Sequence, residues 1–287
     1  MNKKIEDAIQ ESERILIGIG EEFSPQVPAW EGPDCLEAFY KNQYYAQLPE
    51  NHEVLQAYRK LRELVGERPY FVVTLNTDDL IYRAGFEAEQ VVAPCGSCGK
   101  LQCSEHIVDA DEVSKQVMEQ YRTQIAQEKE LCLDGVDWEE GSKAERIMDA
   151  PCNEKKRISE SEDFSKVQEE AAQKILRKFA VCPECGKPLV AHTIQMDGYL
   201  ESGYLPQWEA YKKWLATTLN KKLCVLELGV GFQYPQVIRW PFERTAFYNK
   251  KAVFVRVHSK FQQIEAELAD KAITVKESPV KLLLDAE

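Results

Sequence analysis

An α/β fold built on an open parallel sheet follows from three features of the sequence. Apolar, β-branched runs of strand length alternate with stretches of helical period. Each run ends in glycine or short polar residues, as strands do when their carboxyl ends form ligand loops. A charged helical stretch, bracketed by cysteine clusters, interrupts the alternation and marks a separate, smaller part of the chain.

Ile5, Ala8 and Ile9 share one helical face and predict a first helix. RILIGIG (Arg14 to Gly20) predicts a strand followed by a Gly-x-Gly turn. Val54, Leu55, Tyr58, Leu61 and Leu64 recur at helical spacing, so 51–65 is a second helix. YFVVTLNTDD follows Arg68-Pro69 and reads as a strand running into a polar loop. KLCVLELGVG (Lys222 to Gly231) and AVFVRVHS (Ala252 to Ser259) are two further strands. Tyr204, Trp208, Tyr211 and Trp214 keep helical spacing and are assigned to the core. KLLLDAE is a short C-terminal packing helix. Between Ile107 and Val181, DADEVSKQVMEQYRTQIAQEKE and SKVQEEAAQKILRKFA are charged helical segments, and the sequence between them has no clear period. The stretch is read as an insertion.

The 287 residues suffice for one large or two moderate domains. A net charge of −12 argues against a general binder of phosphate backbones, which needs clustered Lys and Arg. No nucleic-acid partner is therefore expected. The start of the chain has no signal-like apolar run, and nowhere do eighteen apolar residues follow one another. A cytoplasmic protein without membrane association is expected. Nine cysteines, an odd number, then point to metal ligands or buried thiols rather than disulfides.

Cys182-Pro-Glu-Cys185-Gly is a knuckle that turns two thiolates toward one tetrahedral ion. Zinc needs two more ligands. Upstream, Cys95 with Cys98 repeats the CxxCG form, and Cys103 with His106 offers a thiolate and an imidazole. Cys152 lies between the clusters. Spacing alone does not choose among them.

Three strings, in order, resemble the sirtuin family. Gly18-Ile19-Gly20 stands for the family's GAG loop, and Pro28-Ala29-Trp30-Glu31-Gly32 for its Pro-Asp-Phe-Arg-Gly segment. Thr74-Leu75-Asn76-Thr77-Asp78 followed by LIYRAG matches TQNID and the RAG motif after it. Gly229-Val230-Gly231 stands for the later nucleotide-binding turn. The patches span nearly the whole chain, and the likeness is strongest to divergent bacterial sirtuin-like proteins, some of which are ADP-ribosyltransferases. The resemblance implies a discontinuous, Rossmann-like NAD-binding domain over 1–93 and 192–287. It implies a small zinc-binding domain over 94–191 that carries the helical insertion 107–181.

The resemblance also implies roles. Aligned through RAG, the family's catalytic His-Gly falls on Cys95-Gly96, and its first zinc cysteine on Cys103. The implied zinc set is then Cys103, His106, Cys182 and Cys185, with Cys98 or Cys152 as substitutes for His106. NAD contacts are implied for Gly18, Ile19, Gly20, Trp30, Thr74, Asn76, Asp78, Gly229, Val230, Gly231 and His258. Asn76 would position a water or the ribose hydroxyls, and Asp78 would contact the nicotinamide amide. His192 lies near the acceptor channel by position alone.

Three departures bear on activity. Glu21 and Glu22 follow the GIG loop, Glu31 replaces an arginine, and Leu75 replaces a glutamine. At Cys95, a thiol with an ordinary pKa of about 8.5 is a poor general base near neutral pH. Deacylation needs that base. Transfer of ADP-ribose to an acceptor protein's side chain does not, since the acceptor itself attacks the sugar carbon. The expected activity is therefore NAD-dependent modification of a protein, with ADP-ribosyl transfer favoured over deacylation. The alternative is a catalytically silent NAD- or ADP-ribose-binding or protein-interaction module. Oligomeric state is not legible.

Overall fold

The computed structural model describes residues 3–134 and 162–285, with side chains described over 3–127 and 165–285. Its strands are β1 (Arg14–Ile19), β2 (Tyr70–Thr74), β3 (Val91–Val92), β4 (Gly96–Gln102), β5 (Ile107–Asp109), β6 (Val190–Thr193), β7 (Leu223–Leu228), β8 (Ala252–Val257) and β9 (Ala272–Val275). Its helices are α1 (Lys3–Gln10), α2 (Glu37–Ala46), α3 (Glu53–Val65), α4 (Leu80–Arg83), α5 (Asp111–Asp134), α6 (Glu162–Phe179), α7 (Leu205–Ala216), α8 (Arg239–Tyr248) and α9 (Pro279–Leu284). The middle of the expected insertion, including Cys152, lies outside the described residues.

Six strands form one sheet in the order β3-β2-β1-β7-β8-β9, and every pair is parallel. This is the 3-2-1-4-5-6 order of doubly wound dinucleotide folds. The sequence anticipates four of the six. β3 and β9 escape notice because one is two residues long and the other is only half-buried at the sheet edge. β2 and β7 are buried at every position, as befits a parallel sheet covered on both faces. A further sheet has three short strands in the order β5-β4-β6.

Residues 1–27, 47–100 and 192–287 form one compact unit, around the six-stranded sheet. On one face, Leu16, Phe71, Val225 and Phe254 pack with Ile238 and Phe242 and with Tyr211 of α7. The aromatic stripe of α7 thus belongs to the core, as its spacing suggests. α3 buries Val54, Leu55, Tyr58 and Leu61. It starts where the His52 ring accepts the Val54 N–H, and stops at Gly66, whose φ of 58° few other residues tolerate.

The second unit comprises 28–46 and 101–191. Val117, Tyr121 and Ile125 recur on one face of α5 and share a core with Ala171 and Ile175 of α6. Leu36 and Phe39 enter the same core, with Trp30 and Tyr40 packed against it. Segment 28–46, placed by sequence with the nucleotide domain, is grouped here by that apolar burial. No helix among the described residues is long and apolar enough to cross a membrane.

Candidate active site and metal centre

In an open parallel sheet the ligand crevice lies beyond the carboxyl ends of the strands, where the order reverses. Here that point is β1 beside β7. A Cβ on Gly18 would lie 2.5 Å from Ile238 and 2.8 Å from Phe242, so this glycine admits α8. A Cβ on Gly20 would lie 2.3 Å from the Gly229 carbonyl and 2.4 Å from Val230 Cα. The GIG and GVG loops therefore meet backbone to backbone. The Gly20 N–H donates to Leu228 O at 2.9 Å, and the Glu22 N–H to Gly229 O at 3.2 Å.

Glutamate side chains sit within these loops. Glu21 Oε2 accepts the Gly231 N–H at 3.1 Å. The Glu22 carboxylate accepts the Ser259 N–H at 2.9 Å and the Ser259 hydroxyl. His258 is buried, and its Nδ1 accepts the N–H groups of Lys260 and Phe261 at 3.0 and 3.2 Å. Two donors aimed at Nδ1 leave no proton there, so the ring is neutral with its proton on Nε2, which has no partner among the described residues. Burial lowers its pKa in the same sense, against the pull of Glu22. Its 3.2 Å approach to Glu22 is accordingly not an ion pair.

Arg239 fastens both neighbouring loops. It donates to Val230 O and to Phe261 O, each at 2.6 Å. Behind it, Glu227 of β7 takes two hydrogen bonds from Arg256 of β8, at 2.7 and 2.9 Å.

At the end of β2, Thr74 Oγ1 accepts the Asn76 N–H at 3.0 Å, and Asn76 Nδ2 donates to the Tyr58 hydroxyl at 3.3 Å. Asp78 accepts from the Leu80 N–H at 3.0 Å and the Ser24 hydroxyl at 2.8 Å. Burial pushes its carboxyl up to about 6, with Asp79 adding and the two hydrogen bonds opposing. Ser24 thereby ties the residues after GIG to the TLNTD loop.

The stretch 95–99 is pinned to that loop. Cys98 N–H donates to Thr77 O at 2.6 Å, and Asp79 Oδ2 accepts from the Ser97 hydroxyl at 2.5 Å and the Gly99 N–H at 2.9 Å. Cys95 is buried, and burial raises its thiol to about 11. It is a neutral group at pH 7. Gly96, at φ 105°, would place a Cβ 2.1 Å from the His192 carbonyl. His192 is buried against Tyr199, whose hydroxyl donates to Pro94 O. His192 Nε2 lies 3.2 Å from Leu200 O, which only accepts, so Nε2 holds the proton and Nδ1 is a lone pair without a partner among the described residues.

Arg83 of the RAG string bonds Leu48 O at 2.8 Å and Glu50 at 2.5 Å, which makes it a structural fastener. Trp30 belongs to the second unit, stacks on Tyr40 at 4.9 Å and donates to Pro33 O.

The second unit holds the cysteine cluster. Donor atoms of Cys103, His106, Cys182 and Cys185 all lie within 4.8 Å of one another. Cys103 Sγ is 3.7 Å from Cys185 Sγ and 3.6 Å from His106 Nδ1, and Cys182 Sγ is 3.7 Å from the same nitrogen. Zn–S bonds of about 2.3 Å and Zn–N bonds of about 2.0 Å at tetrahedral angles require roughly 3.8 Å between sulfurs and 3.6 Å between sulfur and nitrogen. The donors fit zinc. His106 Nε2 is 3.4 Å from Glu184, a carboxylate placed to orient the ring. Glu105 and His106 N–H groups donate to Cys103 Sγ, and despite burial its thiol falls to about 6. Cys98 lies instead beside Thr77, 3.4 Å from its hydroxyl.

No family model matches the chain. A curated relative, a protein ADP-ribosyltransferase of Staphylococcus aureus (strain Mu50 / ATCC 700699), is 21% identical over 238 residues, 80% of this chain. The chain spans 60% of that relative's length. Similar solved structures include one from work on sirtuin substrate affinity, 14% identical, covering 99% of this chain and 97% of its own, at a TM-score of 0.49. Another, Sir2 with a p53 peptide and NAD+, is 14% identical with coverages of 99% and 96% and a TM-score of 0.47.

The chain resembles the sirtuins. The sirtuin-like strings GIG, TLNTD and GVG come together at the carboxyl ends of β1, β2 and β7. Ser24, Tyr58 and Arg239 escape the sequence reading. Arg239 had a signal: Glu227 and Arg256 are charges inside apolar runs, and buried charges need partners. Ser24 and Tyr58 had none, since 54 and 18 residues separate them from Asp78 and Asn76.

Proposed function

We propose that the protein is a sirtuin-like, NAD-dependent transferase that breaks the nicotinamide–ribose bond and passes ADP-ribose to a side chain of an acceptor protein. The observation that carries this reading is the pairing of buried Asn76 and Asp78 with a neutral Cys95 where deacylation would need a base. The relative named protein ADP-ribosyltransferase supports it. When bound, NAD supplies an activated ADP-ribosyl group with nicotinamide as leaving group.

The residues that would hold NAD are Gly18, Ile19 and Gly20, Thr74, Asn76 and Asp78, Gly229 to Gly231, and His258, with Trp30 as an aromatic contact by family analogy. Asp78, ionised above about pH 6, accepts hydrogen bonds from an amide. Asn76, steadied by Tyr58, offers an amide side chain to sugar hydroxyls. Zinc at Cys103, His106, Cys182 and Cys185 has a structural role, because four protein ligands leave no open position.

The test is incubation with NAD and a mixed protein extract, with nicotinamide measured in solution and ADP-ribosyl adducts by mass spectrometry. Both products are expected, and Asn76→Ala should reduce them roughly a hundredfold. A second reading, a nucleotide-binding module without turnover, is favoured by Glu21 and Glu22 inside the loops. Binding of ADP-ribose without nicotinamide release from NAD would select it.

A further inference from the structure

A phosphate is held in such loops by backbone N–H groups, with glycines giving it room. In this chain the donors are already in use. Glu21 Oε2 stands on the Gly231 N–H, and Glu22 on the Ser259 N–H and hydroxyl. The glycines of GVG fit these side chains closely. A Cβ at Gly231 would lie 1.8 Å from Glu21 Oε1, and one at Gly229 would lie 2.7 Å from Glu22 Cβ. Room that the sequence assigns to a nucleotide is thus filled by the chain itself.

We propose that Glu21 and Glu22 are built-in anions standing on the donors that a dinucleotide's pyrophosphate requires, so that nucleotide binding and carboxylate release are one exchange. This rests on the nucleotide-binding reading above. An N–H group serves one anion at a time, and a carboxylate at contact distance repels a phosphate. The two glutamates therefore set the affinity for phosphate-bearing ligands.

Calorimetric titration of the zinc-loaded full chain tests this, with ADP-ribose and, separately, adenosine. The proteins are wild type, Glu21→Gln/Glu22→Gln, which keeps an acceptor oxygen without the charge, and Glu21→Ala/Glu22→Ala, which frees the donors. The glutamine pair should bind ADP-ribose about tenfold more tightly than wild type, or ~1.4 kcal/mol, and the alanine pair more tightly still. The gain for adenosine, which carries no phosphate, should be smaller in both variants. ADP-ribose affinity that is unchanged or weaker in variants with wild-type circular dichroism overturns the exchange but leaves the nucleotide reading standing. Failure of both ligands to bind any of the three overturns both. If the alanine pair does not fold, the glutamine pair decides alone.

Discussion

Asp78 accepts hydrogen bonds from Ser24 and Leu80 in surroundings dry enough to raise its carboxyl to about 6 from 3.8. Below about pH 4 the carboxyl is neutral in both folded and unfolded chains, and its contribution to stability is whole. As pH rises through 6 the folded state must ionise a buried group, and stability falls. At ~1.4 kcal/mol per pKa unit the cost near pH 8 is about 3 kcal/mol. Asp78→Asn should therefore raise the melting temperature at pH 8 and flatten the profile between pH 4 and 6, while nicotinamide release drops. Thermal melts across pH check it, and an unchanged melting temperature at pH 8 would refute it. His192 acts with the opposite sign: burial lowers its pKa, so stability is lost as pH falls through about 6.5, the unfolded value. His192→Gln should remove that acid limb. The Asn-Thr-Asp string is legible as a polar loop because polar residues end an apolar strand. Its energetics are not, because they come from tertiary burial.

Among the elements, the loops after β1 and β7 depend on backbone contact and on Arg239. Gly20→Ala would force a Cβ onto Gly229 and Val230 and should destabilise by about 1–3 kcal/mol. Arg239→Met removes two hydrogen bonds to loop carbonyls beside a buried ion pair and should cost about 3 kcal/mol. Denaturant titrations measure both, and losses below 0.5 kcal/mol would contradict the packing described. In the second unit, Cys103→Ser or Cys182→Ser should abolish stoichiometric zinc and lower the melting temperature, whereas Cys98→Ser should retain the metal. Elemental analysis beside thermal melts separates these outcomes. The knuckles are legible because CxxH and CxxC spacing is local. The choice of Cys103 over Cys98 needs the two turns brought together, which spacing alone does not show.

At the scale of the whole molecule, four strands are readable because each is an apolar run closed by turn residues, but their order in the sheet is not, since parallel strands interleaved with helices are compatible with more than one order. The two edge strands and segment 28–46 are not, since short or half-buried stretches acquire their structure from neighbours distant in sequence. The loops gathered at the carboxyl ends of β1, β2 and β7 are proposed to cleave NAD for transfer. The most direct test is the rate of nicotinamide release from NAD by the zinc-loaded full chain, with a protein extract as acceptor and Asn76→Ala as control. Release that is accompanied by ADP-ribosyl adducts and lost in the variant is the predicted result. No nicotinamide above the rate of the Asn76→Ala variant would contradict the account.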